Sequence, residues 1–153
     1  MTVKKPANVD DQDIVDGQPV IDRPLDEPTN SSSLICRIRF AELCRSFLER
    51  DCTHGRDLDD PIDYESAMDI DSKFRIFLQQ LPDFFSIDAD DLQGVSPSSP
   101  HRKHSITMQR FTLHLIINRH LCKLHLPYLV KGSFEPAYAY SHDACLMAAR
   151  TIV

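Results

Sequence analysis

Proline decides where a helix can run. It lacks the backbone N–H, fixes φ, and pushes the residue before it out of the helical region. This chain carries ten prolines against four glycines. Pro6, Pro19, Pro24 and Pro28 punctuate the N-terminal end, Pro61 stands where a helix can begin, and Pro82 and Pro127 stand where two must stop. The shortage of glycine argues against an all-β protein built on many tight turns. It also excludes a glycine-rich phosphate loop, since neither G-x-G-x-x-G nor a Walker pattern can be assembled from Gly17, Gly55, Gly94 and Gly132.

Apolar spacing between the prolines is helical. In 33–52, Cys36, Phe40, Leu43 and Phe47 recur at steps of three and four, with Cys44 and Leu48 widening the stripe and Ser31 to Ser33 offering N-caps. In 60–81, Asp60 reads as the N-cap and Pro61 as the first helical residue, followed by a stripe of Ala67, Ile70, Phe74, Phe77, Leu78 and Leu81. Residues 82–104 read as a linker in which Phe84, Phe85 and Ile87 turn inward. Residues 105–126 read as a helix apolar nearly all round, which places it in the middle of a bundle. After an irregular link over 128–140, Ser141 reads as the N-cap of a last helix through Leu146, Ala149 and Ile152. The expected fold is all-α: an irregular bundle of about four main helices, residues 33–153, behind an extended, acidic, proline-rich arm, residues 1–32.

Composition narrows the functions open to such a chain. Its 153 residues match one domain or a piece of a larger one, and the pattern running unbroken to Val153 suggests an interior slice. A slice missing neighbouring helices exposes apolar stripes, so the chain alone is expected to aggregate, oligomerise or fold only in part. A net charge of −6 is unsuited to gripping a phosphate backbone, so no direct nucleic-acid partner is expected. No stretch approaches the roughly 20 apolar residues of a membrane span, and Lys4 and Lys5 are not followed by the apolar core of a secretory signal, so no membrane partner is expected. Five cysteines, an odd number, suit a reducing, intracellular setting.

Each constellation that might carry chemistry fails on spacing. His101, His104, His114, His120 and His125 crowd one segment, but His114 to His120 is six residues and His120 to His125 is five, not the three or four that helical metal ligands need. His114 and His125 share a face about 16 Å apart. Cys36, Cys44 and Cys52 rotate away from one another at steps of eight, and Cys122 and Cys145 read as small buried hydrophobes. Ser141-His142-Asp143 cannot relay a proton, because consecutive helical residues point about 100° apart. The acids from Asp57 to Asp71 lack the EF-hand pattern and read as a solvated face.

Several segments, taken in order, do carry a resemblance. They are Pro6-Ala7-Asn8-Val9-Asp10-Asp11-Gln12-Asp13-Ile14; Pro28-Thr29 leading to Leu34 and Ile38-Arg39-Phe40-Ala41-Glu42-Leu43-Cys44-Arg45; and Leu81-Pro82-Asp83-Phe84-Phe85. Leu124-His125-Leu126-Pro127-Tyr128-Leu129 follows, then Tyr140-Ser141-His142-Asp143-Ala144-Cys145-Leu146 with Ala148-Ala149-Arg150. The set resembles the middle homology region of fungal-specific transcription factors, the family with a six-cysteine binuclear zinc cluster, over about residues 6–153. The resemblance implies a nuclear, all-helical regulatory region without catalysis, lying C-terminal to a DNA-binding zinc cluster. That cluster is absent here, so zinc and DNA contact are expected only in another part of a full-length relative, and no cofactor is expected in this chain. His125, Pro127, Tyr140, Ser141, Cys145, Ala149 and Arg150 are the motif positions, with structural roles. Leu126 stands where the family often has arginine, which removes one option for charge pairing. Expected partners are the rest of the regulatory region or other proteins. Some members sense small molecules, and a hydrophobic effector here would meet Phe74, Phe77, Phe111 and Tyr128. A metal-dependent hydrolase using the histidines is the remote alternative.

Overall fold

The computed structural model describes residues 4–53, 62–87 and 100–152, with the side chains of 49–53 and 100–102 outside that description. Every regular element among the described residues is helical: α1 (Ser32–Thr53), α2 (Tyr64–Gln79), α3 (Pro100–His125), the short α4 (Leu129–Gly132) and α5 (Ala139–Ile152). Short 3₁₀ turns stand at Asp11–Asp13, Asp83–Phe85, Leu126–Tyr128 and Pro136–Tyr138. The fold is all-α, with four long helices among the described residues. The chain divides into two units, one of residues 1–41 and 81–113 and one of residues 42–80 and 114–153.

The first unit buries Val9, Ile35, Cys36, Phe40, Phe85, Ile106 and Leu113. Its N-terminal segment, residues 4–31, contains no α-helix. Asn8 is buried there and uses its whole hydrogen-bonding capacity. Its Nδ2 donates to the carbonyls of Pro24 (2.8 Å) and Glu27 (3.0 Å), and its Oδ1 accepts from Thr29 Oγ1 (2.7 Å) and Ser32 Oγ (2.9 Å). An asparagine side chain offers two donors and one twofold acceptor, so all four are met. The Asn8 N–H donates to Asp22 (2.7 Å), and the N–H of Asn30 donates to Asp10 (2.7 Å). Acids of this segment thus serve as acceptors for backbone that has no helix to satisfy it. At Gly17 the backbone takes φ +76°, the left-handed region that glycine enters without a Cβ penalty.

Arg110 on α3 donates through Nε (3.0 Å) and Nη2 (2.9 Å) to the Phe84 carbonyl, fixing the Asp83–Phe85 turn. Phe85 is fully buried, whereas Ile87 is exposed, so only part of the expected inward set turns in.

The second unit buries Phe47, Ala67, Ile70, Phe74, Ile117, Leu121, Tyr128, Ala144, Cys145 and Ala148. Three expectations are corrected in the helices. The cap of α2 is Asp63, not Asp60: Asp63 Oδ1 accepts from the Ser66 N–H (2.9 Å) and Oδ2 from its hydroxyl (2.8 Å). Both residues meet the rule for N-caps, and the later one wins because Ser66 supplies a second donor at the third helical position. Asp60 and Pro61 lie outside the described residues. The third helix starts at Pro100, inside the expected linker, and it is not buried all round. Ile106, Leu113, Ile117 and Leu121 face inward, while Met108 (53% exposed), Phe111 (59%) and Leu115 face solvent. The last helix begins at Ala139, so Ser141 lies in its first turn and is not its cap.

Gly132 ends α4 at a point of close approach. A Cβ there would stand 2.6 Å from the Tyr138 carbonyl oxygen and 2.7 Å from His142 Cβ, distances that side-chain motion alone cannot relieve at a backbone oxygen.

Two substitutions test these anchors. Asn8→Ala removes the acceptor of two buried hydroxyls and a donor from two carbonyls, with an expected loss of about 1–3 kcal/mol in chemical denaturation. Gly132→Ala is expected to cost about 1–3 kcal/mol through overpacking, read as a lower melting temperature; an unchanged melt would contradict the close approach.

Candidate functional site

The second unit contains a buried ionic centre. Asp71, on α2, is 1% exposed. Its Oδ1 accepts from His125 Nε2 at the end of α3 (3.0 Å), and its Oδ2 accepts from Arg75 Nε (2.8 Å) and from the Tyr140 hydroxyl on α5 (2.6 Å). One carboxylate therefore joins three helices. Behind the imidazole, His125 Nδ1 lies 2.9 Å from Ser141 Oγ, and Ser141 Oγ lies 3.4 Å from the Tyr64 hydroxyl. A carboxylate only accepts, so Nε2 carries a hydrogen toward Asp71; Nδ1 and the serine hydroxyl share the second contact.

Burial works against the charge on Asp71. The hydrogen bonds from His125, Arg75 and Tyr140, with the Arg75 charge, outweigh it and hold the carboxyl at about 2. Tyr140 responds in the opposite sense: burial, then its bond to the Asp71 carboxylate, pushes the phenol up. The Arg75 guanidinium also stacks over the Tyr140 ring, 5.7 Å from its centroid, and the His125 and Tyr140 rings meet edge-on at 5.9 Å.

Serine, histidine and aspartate in hydrogen-bonded order invite comparison with a hydrolytic triad. Two features set this arrangement apart. The serine is bound through Nδ1 and the carboxylate through Nε2, the reverse of the usual relay. Ser141 and His125 are also wholly buried, so no face of the serine is open to a substrate. What the geometry can do is fix three helices to one point.

Beside it sits an aromatic cluster. Tyr64 packs edge-on against Tyr128 (4.9 Å) and Tyr138 (4.8 Å), and Tyr128 stacks on Tyr138 (5.6 Å). The Tyr128 hydroxyl donates to the Ile62 carbonyl just before α2.

The motif positions expected to be structural fall into distinct places. His125, Tyr140 and Ser141 meet at Asp71. Cys145 is buried with its Sγ 3.6 Å from that of Cys122. Pro127 sits exposed within the Leu126–Tyr128 turn, Ala149 is half-buried and Arg150 is exposed. The four aromatic candidates for an effector belong to both units. Phe74 packs edge-on with Phe47 (5.8 Å) and His120 (6.4 Å), Tyr128 belongs to the tyrosine cluster, Phe77 is half-buried, and Phe111 belongs to the first unit and is exposed. Among the described residues, no three His, Cys, Asp or Glu side chains gather as metal ligands.

Asp71 is the residue that sequence reasoning misplaced, since it was assigned to a solvated acidic face. The corrective signal lay in its phase. Position 71 follows Ala67 by four and precedes Phe74 by three, on the apolar stripe, and Arg75 follows at i+4.

No family model matches the chain, and no solved structure does. Curated proteins do. A probable transcription factor of Aspergillus flavus, lepB, is 31% identical over all of this chain, which spans 27% of its length. The agnestins biosynthesis cluster transcription factor AgnL11 of Paecilomyces divaricatus is 29% identical, again over the whole chain and 21% of its own length. The transcription factor TAS2 of Pyricularia oryzae is 24% identical over 99% of this chain and 19% of its own. The chain is a homologue of fungal transcription factors. It spans about a quarter or less of the relatives it matches. The Asp71 centre thus lies in an all-α stretch that aligns with part of these transcription factors.

The acid limb of stability tests the centre. The Asp71 carboxyl is held at about 2 in the fold against an ordinary 3.8, so its contribution is complete above about pH 4 and disappears as pH falls through about 2. A gap of that size corresponds to about 2–3 kcal/mol. Asp71→Asn is expected to flatten urea-measured stability between pH 4 and pH 2. Retention of the full slope in that variant would place the titrating carboxyl elsewhere.

Proposed function

We propose that this chain is a non-catalytic regulatory segment of a fungal transcription factor, acting in the nucleus, with zinc binding and DNA recognition carried by another part of the protein. The observation that carries this reading is the match itself: the whole chain aligns with three transcription factors while spanning only 19–27% of their lengths. Charge supports the division of labour. A net charge of −6 opposes a polyanion, and the cysteines at 36, 44, 52, 122 and 145 do not form the C-x-x-C pairs of a zinc cluster. The buried Asp71 centre supports the non-catalytic part of the reading, because its serine offers no open face.

The test joins the chain to an unrelated DNA-binding module upstream of a reporter. The fusion is expected to raise or lower reporter output severalfold relative to the module alone. An expressed, nuclear fusion with unchanged output in both activation and repression formats would overturn the proposal. In the companion measurement, the isolated chain is expected to bind duplex DNA no more tightly than roughly 10⁻⁶ M, and tighter binding with a steep salt slope would remove the division of labour.

A further inference from the structure

The contacts between α3 and α5 in the second unit come in rungs. His125 meets Ser141, and one turn away Cys122 meets Cys145, three residues back on α3 and four forward on α5. That pairing pattern is antiparallel. The two sulfurs lie 3.6 Å apart, and the Cys145 thiol also points at the Cys122 carbonyl, 3.6 Å away. Both cysteines are free thiols, as are Cys36 and Cys44. The thiol pair is separate from the Asp71 centre and does not rest on the transcription-factor reading.

We propose that Cys122 and Cys145 form a reversible disulfide in response to hydroperoxide, tying α3 to α5 beside the His125–Ser141 contact. A disulfide needs the sulfurs at about 2.05 Å, so closure requires a shift of roughly 1.5 Å, within reach of side-chain rotation at two cysteines already facing one another. Accessibility sets the order of steps. Cys122 is the partly exposed member and Cys145 is buried. The Cys122 sulfur attacks the outer peroxide oxygen, the O–O bond breaks, and the remaining oxygen leaves as water or alcohol with the thiol proton. The sulfur, oxidised by two electrons, is now a sulfenic acid. The Cys145 sulfur then attacks the Cys122 sulfur, the S–O bond breaks, and the hydroxyl leaves as water with the Cys145 proton. In sum two thiols lose two electrons and two protons, and one hydroperoxide is reduced. Burial, followed by the neighbouring Cys122, pushes the Cys145 thiol up to about 11, so it does not meet the oxidant first, and its place in the second step rests on its 3.6 Å approach to the Cys122 sulfur. Burial likewise holds Cys36 at about 11 and raises Cys44, so neither competes readily for the oxidant.

The test uses the full chain, reduced, freed of reductant, exposed to excess hydrogen peroxide, alkylated and digested with trypsin without reduction. Fragments 120–123 and 132–150 are expected to be recovered as one linked species, lighter by two hydrogens, with two alkylatable thiols lost and both regained after dithiothreitol. The oxidised chain is expected to melt at a higher temperature than the reduced one. Cys122→Ser and Cys145→Ser should each abolish the link, while Cys36→Ser leaves it. Separate recovery of both fragments in alkylated form overturns the proposal. So does a Cys122 oxidised to sulfinic acid beside a still alkylatable Cys145, or a scatter of pairings among all the cysteines.

Discussion

The second unit depends on one carboxylate that water does not reach. Taking an ionised aspartate out of solvent is expensive, and an unpaired one in a protein interior is not tolerated. Asp71 is tolerated because three donors converge on it from α2, α3 and α5. The need runs in both directions. The carboxylate requires His125, Tyr140 and Arg75 in place, and those groups lose their acceptor if α2 shifts or rotates. Such a buried ion network does not rank high as a source of net stability against a well-packed apolar alternative. What it contributes here is definition: α2, α3 and α5 must meet at one register for the charge to be satisfied.

That role accounts for the character of α3. Its inward face is not a simple apolar stripe. Arg110, His114, Asn118 and His125 are buried along it among Ile106, Leu113, Ile117 and Leu121. Each polar member with a described bond turns it to a local purpose: Arg110 holds the Phe84 carbonyl, Asn118 Nδ2 donates to the His114 carbonyl at 2.9 Å, and His125 holds Asp71. Apolar residues meanwhile occupy the outer face, at Met108, Phe111 and Leu115. Hydrophobicity and burial are out of phase along this helix, so its interior contacts are specified by directional bonds as much as by packing.

The same mismatch explains what could be read from the sequence. Helix existence was legible, because apolar periods mark α1, α2 and α5 and prolines mark the stops of α2 and α3. The motif positions His125, Tyr140 and Ser141 were legible as an ordered set, though the residue on which they converge was not. Asp71 was hidden among its acidic neighbours in the sequence, and composition there argued for solvent. Its phase argued for the core, and phase decided the outcome. The α2 start slipped from Asp60 to Asp63 because two aspartates offered the same capping chemistry and only the later one had Ser66 as a double donor. Ser141 was misread as a cap because a serine before an acidic residue fits that rule, whereas its actual partner, His125, stands sixteen residues away in sequence. Cap rules see local chemistry and not a buried histidine brought from another helix.

Long-range polar contacts of this kind also stand inside the motif segments of each unit. Asn8 with Thr29 in the first unit and His125 with Ser141 in the second are each pairs distant in sequence and bonded in space. Each sits in a quoted motif, and each is held at a site where a change to an apolar residue takes a hydrogen bond from a buried partner, at a cost of about 1–3 kcal/mol. An apolar core position accepts several residues of similar volume. A fully bonded Asn8, with two donors and a shared acceptor all engaged, accepts almost none.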